Sequence, residues 1–353
     1  MKDNTEKKKR LILLDVLKIL FALFVFLRHS STMGGCTYGA MNSEFLRSIN
    51  NVMMSGFFIL SGFSLFYVYS DIDMKNMKTT FEFYKKRAIA ILPIYFLVIV
   101  LHLIFLESDL LMNLKLLPIE VTGIHTYFNG TFFLLHNGTT WFVSIIILAY
   151  FIYPHIQEII KFFDKRKKFI LLLILFSFLT YFPFLFKWFN ISGTYANPLF
   201  RCIEFIFGMS LCSVIDFKKQ RKGSYEYLTL FIILLIIEFV GVYNGFKVVD
   251  IAMYVVLGLL LYTGSLFIPK KDRKFKVINF LAHITYPFYI FQDLLWIKSK
   301  TLNPYIQSFD SNILRILMFF IILFTISVAS IYLYQNPIAN YLKSRLKKEQ
   351  LLF

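Results

Sequence analysis

Cysteine is scarce in this chain, glycine-rich loops are missing, and no stretch is both long and polar. The three cysteines, Cys36, Cys202 and Cys212, show neither metal-ligand spacing nor a paired framework, so they indicate no disulfide scaffold and no zinc site. The lack of a phosphate-cradling loop or a Walker signature argues against a pump driven by nucleotide hydrolysis. Internal repeats are absent as well. Charged residues make up only 17% of the chain, and no segment is polar enough to be a separate soluble domain. Asn129 and Asn137 each begin an Asn-Gly-Thr triplet, a glycosylation pattern without meaning in a bacterial-looking chain.

What is present is apolar. The chain is 58% hydrophobic and 19% aromatic, and its mean hydropathy is +0.64. Runs of roughly 20 apolar residues, the length that spans a bilayer as a helix, recur throughout. They predict an all-α, polytopic membrane protein with about ten transmembrane helices, near 11–31, 50–70, 88–106, 141–160, 169–188, 199–216, 225–243, 248–268, 277–297 and 313–334. These form one domain over 1–353, with short basic tails at 1–10 and 338–353. The run after Lys7-Lys8-Lys9-Arg10 is long and lacks a clear small-residue cleavage site, so it reads as a retained first span.

The formal net charge of +17 raises nucleic acid as a partner, and its distribution argues against it. With the N-terminus inside, the inner segments carry 28 Lys and Arg and the outer segments six. That bias places both termini in the cytoplasm of a multi-pass cell-membrane protein, in contact with membrane lipid. Orientation is the first meaning of the basic excess, and a site for anionic ligands the second.

Against this background the polar residues inside the spans stand out. Lys18 and His29 are eleven residues apart, about three helical turns, so they share one face at a separation of roughly 16 Å. Asp15 joins the stripe three residues before Lys18. Each charge near mid-bilayer costs about 2.5–3.5 kcal/mol, which makes function the default explanation. Arg201 and Glu204, spaced i,i+3 at the outer start of the sixth span, can pair. Two clusters result: Lys18, Lys86 and Arg87 at the inner side, and His29, Arg201 and Glu204 at the outer side. The inner group suits the anionic part of a cytosolic donor. The imidazole suits proton removal from an acceptor hydroxyl near the outer face. Blander roles stand beside these. Lys86 and Arg87 fit positive-inside anchors and Trp141 a belt aromatic. Lys18 can snorkel, Arg201–Glu204 can be a structural pair, and His29 can rest in headgroups beside Arg28.

The same residues resemble the acyltransferase-3 family over most of the chain. Leu14-Asp15-Val16-Leu17-Lys18, with ten residues before His29, is similar to its Leu-Asp-x-Leu-Arg start and Arg-x10-His spacing. Phe57-Phe58-Ile59-Leu60-Ser61-Gly62-Phe63 resembles Phe-Phe-x-x-Ser-Gly-Phe. Lys86-Arg87 leading to Pro93-Ile94-Tyr95, Trp141-Phe142-Val143-Ser144, and Arg201 with Phe205-Ile206-Phe207-Gly208 follow in the family's order. Thr285-Tyr286-Pro287-Phe288-Tyr289 resembles its Ser-Tyr-Pro-x-Tyr-Leu.

The resemblance implies transfer of an acyl group, usually acetyl from cytosolic acetyl-CoA or another acyl-CoA, to a hydroxyl of an extracytoplasmic glycan. His29 would be the catalytic centre, with Arg201 and Glu204 in the catalytic group. Lys18, Lys86 and Arg87 would serve the CoA donor, and Trp141, Ser61, Tyr286 and Gln292 the substrate; no metal is implied. Partners would be the polysaccharide acceptor and its synthesis machinery, and the chain would be the stand-alone form. It departs from the pattern at Lys18 (usually Arg), Ala90 (often Arg), Gln292 (commonly His) and Gln335-Asn336-Pro337 (Glu-x-Pro). Two other classes stay open: a glycan exporter or flippase, and a membrane subunit that has lost catalysis.

Overall fold

The computed structural model describes residues 8–105, 110–127, 138–189, 194–245, 251–269, 275–298 and 302–350. Asn129 and Asn137 lie outside them. The described chain is helical: α1 (Ile12–Met33), α2 (Ser43–Tyr69), α3 (Met77–Phe105), α4 (Leu110–Thr122), α5 (Trp141–Phe162), α6 (Lys165–Trp188) and α7 (Pro198–Val214). They are followed by α8 (Tyr225–Tyr243), α9 (Ile251–Leu266), α10 (Lys276–Ile290), α11 (Leu302–Gln307), α12 (Asn312–Ala329) and α13 (Asn336–Gln350). Leu294–Lys298 and Ser330–Gln335 are π-helical. A two-residue parallel pairing of β1 (Arg221–Lys222) with β2 (Phe267–Ile268) is the β structure among the described residues.

Six stretches are long and apolar enough to cross a membrane: Ser43–Tyr69, Met77–Ile104, Gly138–Phe162, Lys165–Phe186, Tyr225–Tyr243 and Asn312–Leu342. The shorter α7, α9 and α10 have 17, 16 and 15 residues, and α1 carries Asp15, Lys18 and Arg28. Among the described residues, each apolar run identified in the sequence overlaps a helix. However, α2 and α3 begin well before residues 50 and 88. Asn42 caps α2 by accepting from the Phe45 amide at 2.8 Å, and Asn76 accepts from the Lys78 amide at 2.9 Å at the start of α3. These caps satisfy free N–H groups of polar first turns that hydropathy does not register. The short helix α4 has no counterpart among the expected spans.

Two motif glycines set the central crossing. A Cβ on Gly62 of α2 would lie 1.9 Å from the Phe205 carbonyl oxygen, and one on Gly208 of α7 would lie 1.9 Å from that of Ile59. The helices therefore touch backbone to backbone, the small-residue contact favoured where lipid supplies no hydrophobic drive between helices. Beside this pair, α1 packs against α2, α9 and α10, with Leu17, Phe21, Val25 and Phe26 buried. Exposed apolar side chains such as Phe178, Tyr181 and Phe184 on α6 and Ile232 and Ile236 on α8 form the rim that suits lipid.

Candidate functional site

His29 lies in the last turns of α1, where its Nδ1 is 2.6 Å from Oε1 of Gln292. An amide oxygen only accepts, so Nδ1 carries the proton and Nε2 presents a free lone pair. Trp296 meets the imidazole edge-on at 6.0 Å. Gln292 is fully buried just beyond α10, in the turn that leads into the π-helical segment, and its Nε2 has no acceptor.

The neighbouring Asp293 anchors that turn. Its Oδ2 accepts from the Gly138 amide at 3.0 Å and lies 3.6 Å from Nε2 of His102. The other ring nitrogen of His102 bonds the Val98 carbonyl at 2.8 Å. Thr139 adds a hydroxyl bond to the Ile290 carbonyl at 2.9 Å. The end of α10, the start of α5 and α3 are thus tied together next to the group that holds His29. Sequence reasoning singled out neither Asp293 nor His102, although an ionisable residue in an apolar run was the available signal.

At the other end of the α1 stripe, Arg10 donates to Asp15 at 2.6 Å, and Lys18 lies 3.9 Å from the same carboxylate. Arg87 donates to the Tyr69 hydroxyl at 3.2 Å and stacks over Tyr69 and Phe83. Lys86, also expected in this cluster, is exposed; consecutive helix positions differ by about 100° in direction. Asp15 thus links Arg10 and Lys18, while Arg87 is held by Tyr69 and Phe83.

Lys18 lines two cavities. One, of about 270 Å³, is also walled by Ser61, Tyr150, Tyr286 and Gln335, with apolar surface from Phe57, Phe142 and Pro287. The other, about 750 Å³, is lined by Lys8, Lys9, Arg10, Asp15, Tyr67 and Asp71. In the first, Gln335 Nε2 donates to the Ala90 carbonyl at 2.9 Å. Two positions that depart from the resembled pattern thus meet as a neutral hydrogen bond.

Arg201 and Glu204 form a separate group. Arg201, 1% exposed, donates to Glu204, to the Ser55 hydroxyl and to the Tyr195 carbonyl, each at 2.8 Å. Glu204 also accepts from the Tyr254 hydroxyl at 2.9 Å. Trp141 is buried inside the protein; with Phe58, Tyr195 and Phe200 it surrounds the guanidinium at 5.6–5.9 Å. No hydrogen bond or ion pair among the described residues joins Arg201 or Glu204 to His29. Above the site, Tyr38 of the loop after α1 bonds Ser30 at 2.6 Å, and burial pushes its phenol up to about 12. No group of three or more His, Cys, Asp or Glu among the described residues could hold a metal ion.

A model of the acyltransferase-3 family, described as an acyltransferase domain, matches residues 11–347. No curated protein and no solved structure matches the chain.

Proposed function

The chain belongs to the acyltransferase-3 family, and from this we propose that it is a multi-pass cell-membrane O-acyltransferase. It moves an acyl group, acetyl in the simplest case, from cytosolic acyl-CoA to a hydroxyl of a cell-surface polysaccharide. About ten spans with both termini in the cytoplasm put Lys18 toward the donor and His29 toward the acceptor.

The observation that carries the reading is the 2.6 Å contact between His29 and Gln292. It supports a tautomer protonated at Nδ1, in which Nε2 would serve as general base, the base-plus-orienting-group arrangement of nucleophile activation. In the proposed step, Nε2 takes the proton of the acceptor hydroxyl while that oxygen attacks the thioester carbonyl. The C–S bond then breaks, the thiolate takes the proton back, and the products are an ester and free CoA thiol. Arg10, Lys18 and Arg87 hold the donor's phosphates, with Lys86 at the cytosolic edge of this group. Ser61 and Tyr286 face the acyl-bearing end in the 270 Å³ cavity. Arg201 and Glu204 support the site by fixing Trp141 and Tyr195.

Replacing His29 by Ala at matched expression, then measuring alkali-labile acyl esters on purified surface polysaccharide, tests the reading. Loss of esters with normal export is expected. Persisting esters overturn it, and polymer retained inside the cell favours export instead.

A further inference from the structure

The 270 Å³ cavity that Lys18 lines has two unlike ends. Contacts across the bundle give each of its walls a direction. His29 meets Gln292, so α1 and α10 reach the same end together. Thr139, just before α5, bonds the Ile290 carbonyl at that end as well. Lys8 bonds the Tyr67 carbonyl and the Ser70 hydroxyl, so α2 runs the opposite way, with its last turns at the start of α1. Lys18, Ser61 and His283 therefore line the end nearer the start of α1. Met54, Phe57, Phe142 and Tyr289 line the end nearer His29. Lys18 and His283 are the basic side chains of the lining, and neither is at the His29 end.

The lining runs from Met54 to Ser61 on α2 and from Ala282 to Tyr289 on α10, about 10 Å on each helix. A volume of about 270 Å³ spread over that length leaves a cross-section of about 27 Å². That admits one extended chain whose carbons keep contacts of about 3.5–4.0 Å with the wall. At the His29 end the bore meets aromatic rings held edge to face. Phe57 meets Phe142 at 6.1 Å, Phe142 meets Tyr289 at 5.5 Å, and Phe21 backs Phe57 at 5.4 Å. Phe57 and Phe142 are half-buried while their chain neighbours Phe58 and Trp141 are buried, because these two rings face the cavity. A carboxylate pressed against them would lose its water without gaining a partner, which is costly.

We infer that Phe57 and Phe142 form the stop of an acyl subsite. The donor enters from the Lys18 end, and its acyl group, unbranched, short and uncharged, ends against these two rings. The inference rests on the acyltransferase reading and adds the class of acyl group and the residues that select it. Ser61 is one turn nearer Lys18 than Phe57, and Tyr286 one turn nearer than Tyr289. Both then flank the thioester, and the acyl group lies about one turn short of Gln292. Selection is by length along a narrow bore, so a smaller side chain in place of either ring lengthens the acyl group that fits.

The test uses the full chain in phosphatidylcholine nanodiscs with acetyl-, butyryl-, hexanoyl- and succinyl-CoA. Donor affinity and the initial rate of transfer to purified surface polysaccharide are both measured. One misplaced methylene in an apolar pocket discriminates about 10- to 200-fold, so hexanoyl-CoA should fall about tenfold or more below acetyl-CoA in kcat/KM. Succinyl-CoA, as long as butyryl-CoA but tipped with a carboxylate, should fall about tenfold or more below it. Phe142→Ala should raise the hexanoyl-to-acetyl ratio about tenfold or more, and Phe142→Leu and Phe57→Leu should move it less in the same direction. Both donors are compared on one preparation, so a loss of folded protein does not move the ratio. Phe182→Leu, at a buried ring of α6 outside the cavity wall, should leave the ratio where it is. The inference is overturned if the wild type uses hexanoyl-CoA as well as acetyl-CoA, if the ratio is unmoved in all three cavity variants, or if Phe182→Leu moves it equally. Succinyl-CoA used as well as butyryl-CoA overturns it too, since that requires a cation at the acyl end. Failure of the acyltransferase reading looks different: no transfer from any donor, while affinity keeps its order of chain length and its response to Phe142→Ala. Absence of both transfer and length-dependent affinity overturns the inference as well.

Discussion

Gln292→Leu tests how His29 is made into a base. The substitution keeps most of the buried volume but removes the oxygen that accepts from Nδ1 at 2.6 Å. A buried donor left without its partner costs about 1–3 kcal/mol. If that cost falls on the catalytically competent tautomer and ring position, then at 1.36 kcal/mol per decade the transfer rate drops roughly 5- to 150-fold. Donor KM should hold steady, because Lys18 lies about three turns away from His29 along α1. Gln292→Glu restores an acceptor at the same place and should recover most of the rate. The assay is the initial rate of labelled acyl transfer from acyl-CoA to purified surface polysaccharide, in membranes with matched protein content. A Leu variant within twofold of wild type, or equal losses in Leu and Glu, would refute the reasoning.

Other expectations follow from single contacts. Gly208→Ala forces a Cβ to within 1.9 Å of the Ile59 oxygen, and overpacking of this kind costs about 1–3 kcal/mol or more; a detergent melt at the wild-type temperature would contradict the crossing. Glu204→Ala strands Arg201 as a buried unpaired charge, a loss of about 3–5 kcal/mol, and Glu204→Gln should be milder because an amide oxygen can still accept from Tyr254; unchanged melting in the Ala variant would argue against the pair. The hydrogen bond from Lys8 holds the Asp71 carboxyl below its ordinary value. The stabilisation from that pair is therefore present at neutral pH and disappears as pH falls through the carboxylate range. The small melting difference between wild type and Asp71→Asn should close on acidification, and a difference that grows would reverse the sign.

The sequence exposes the α1 stripe plainly, because an acid, a base and an imidazole at helical spacing in an apolar run have few bland explanations. Gln292 came into view through motif order, not through any property of its own. The Asp293–His102 contact is illegible in one dimension, since it joins α10 to α3 across the whole middle of the chain. Trp141 shows the opposite failure. An aromatic at the start of a span reads as a belt residue, and only packing reveals that it walls a buried guanidinium. The π-helical turns at Leu294–Lys298 and Ser330–Gln335, which aim Trp296 and Gln335 at the two ends of the site, leave no trace in periodicity. Ala90 and Gln335 look like two independent departures from the family pattern. In the structure the two positions meet, the Gln335 amide donating to the Ala90 backbone carbonyl.

The central claim is that an acyl group enters on one side of the membrane and leaves on the other through His29. Sealed inside-out vesicles with surface polysaccharide trapped in the lumen test this when labelled acyl-CoA is added outside. The account predicts labelled ester on the lumenal polymer with the wild-type chain and none with His29→Ala. Label on the lumenal polymer in the His29→Ala vesicles, or transfer only to polymer added on the donor side, would contradict it.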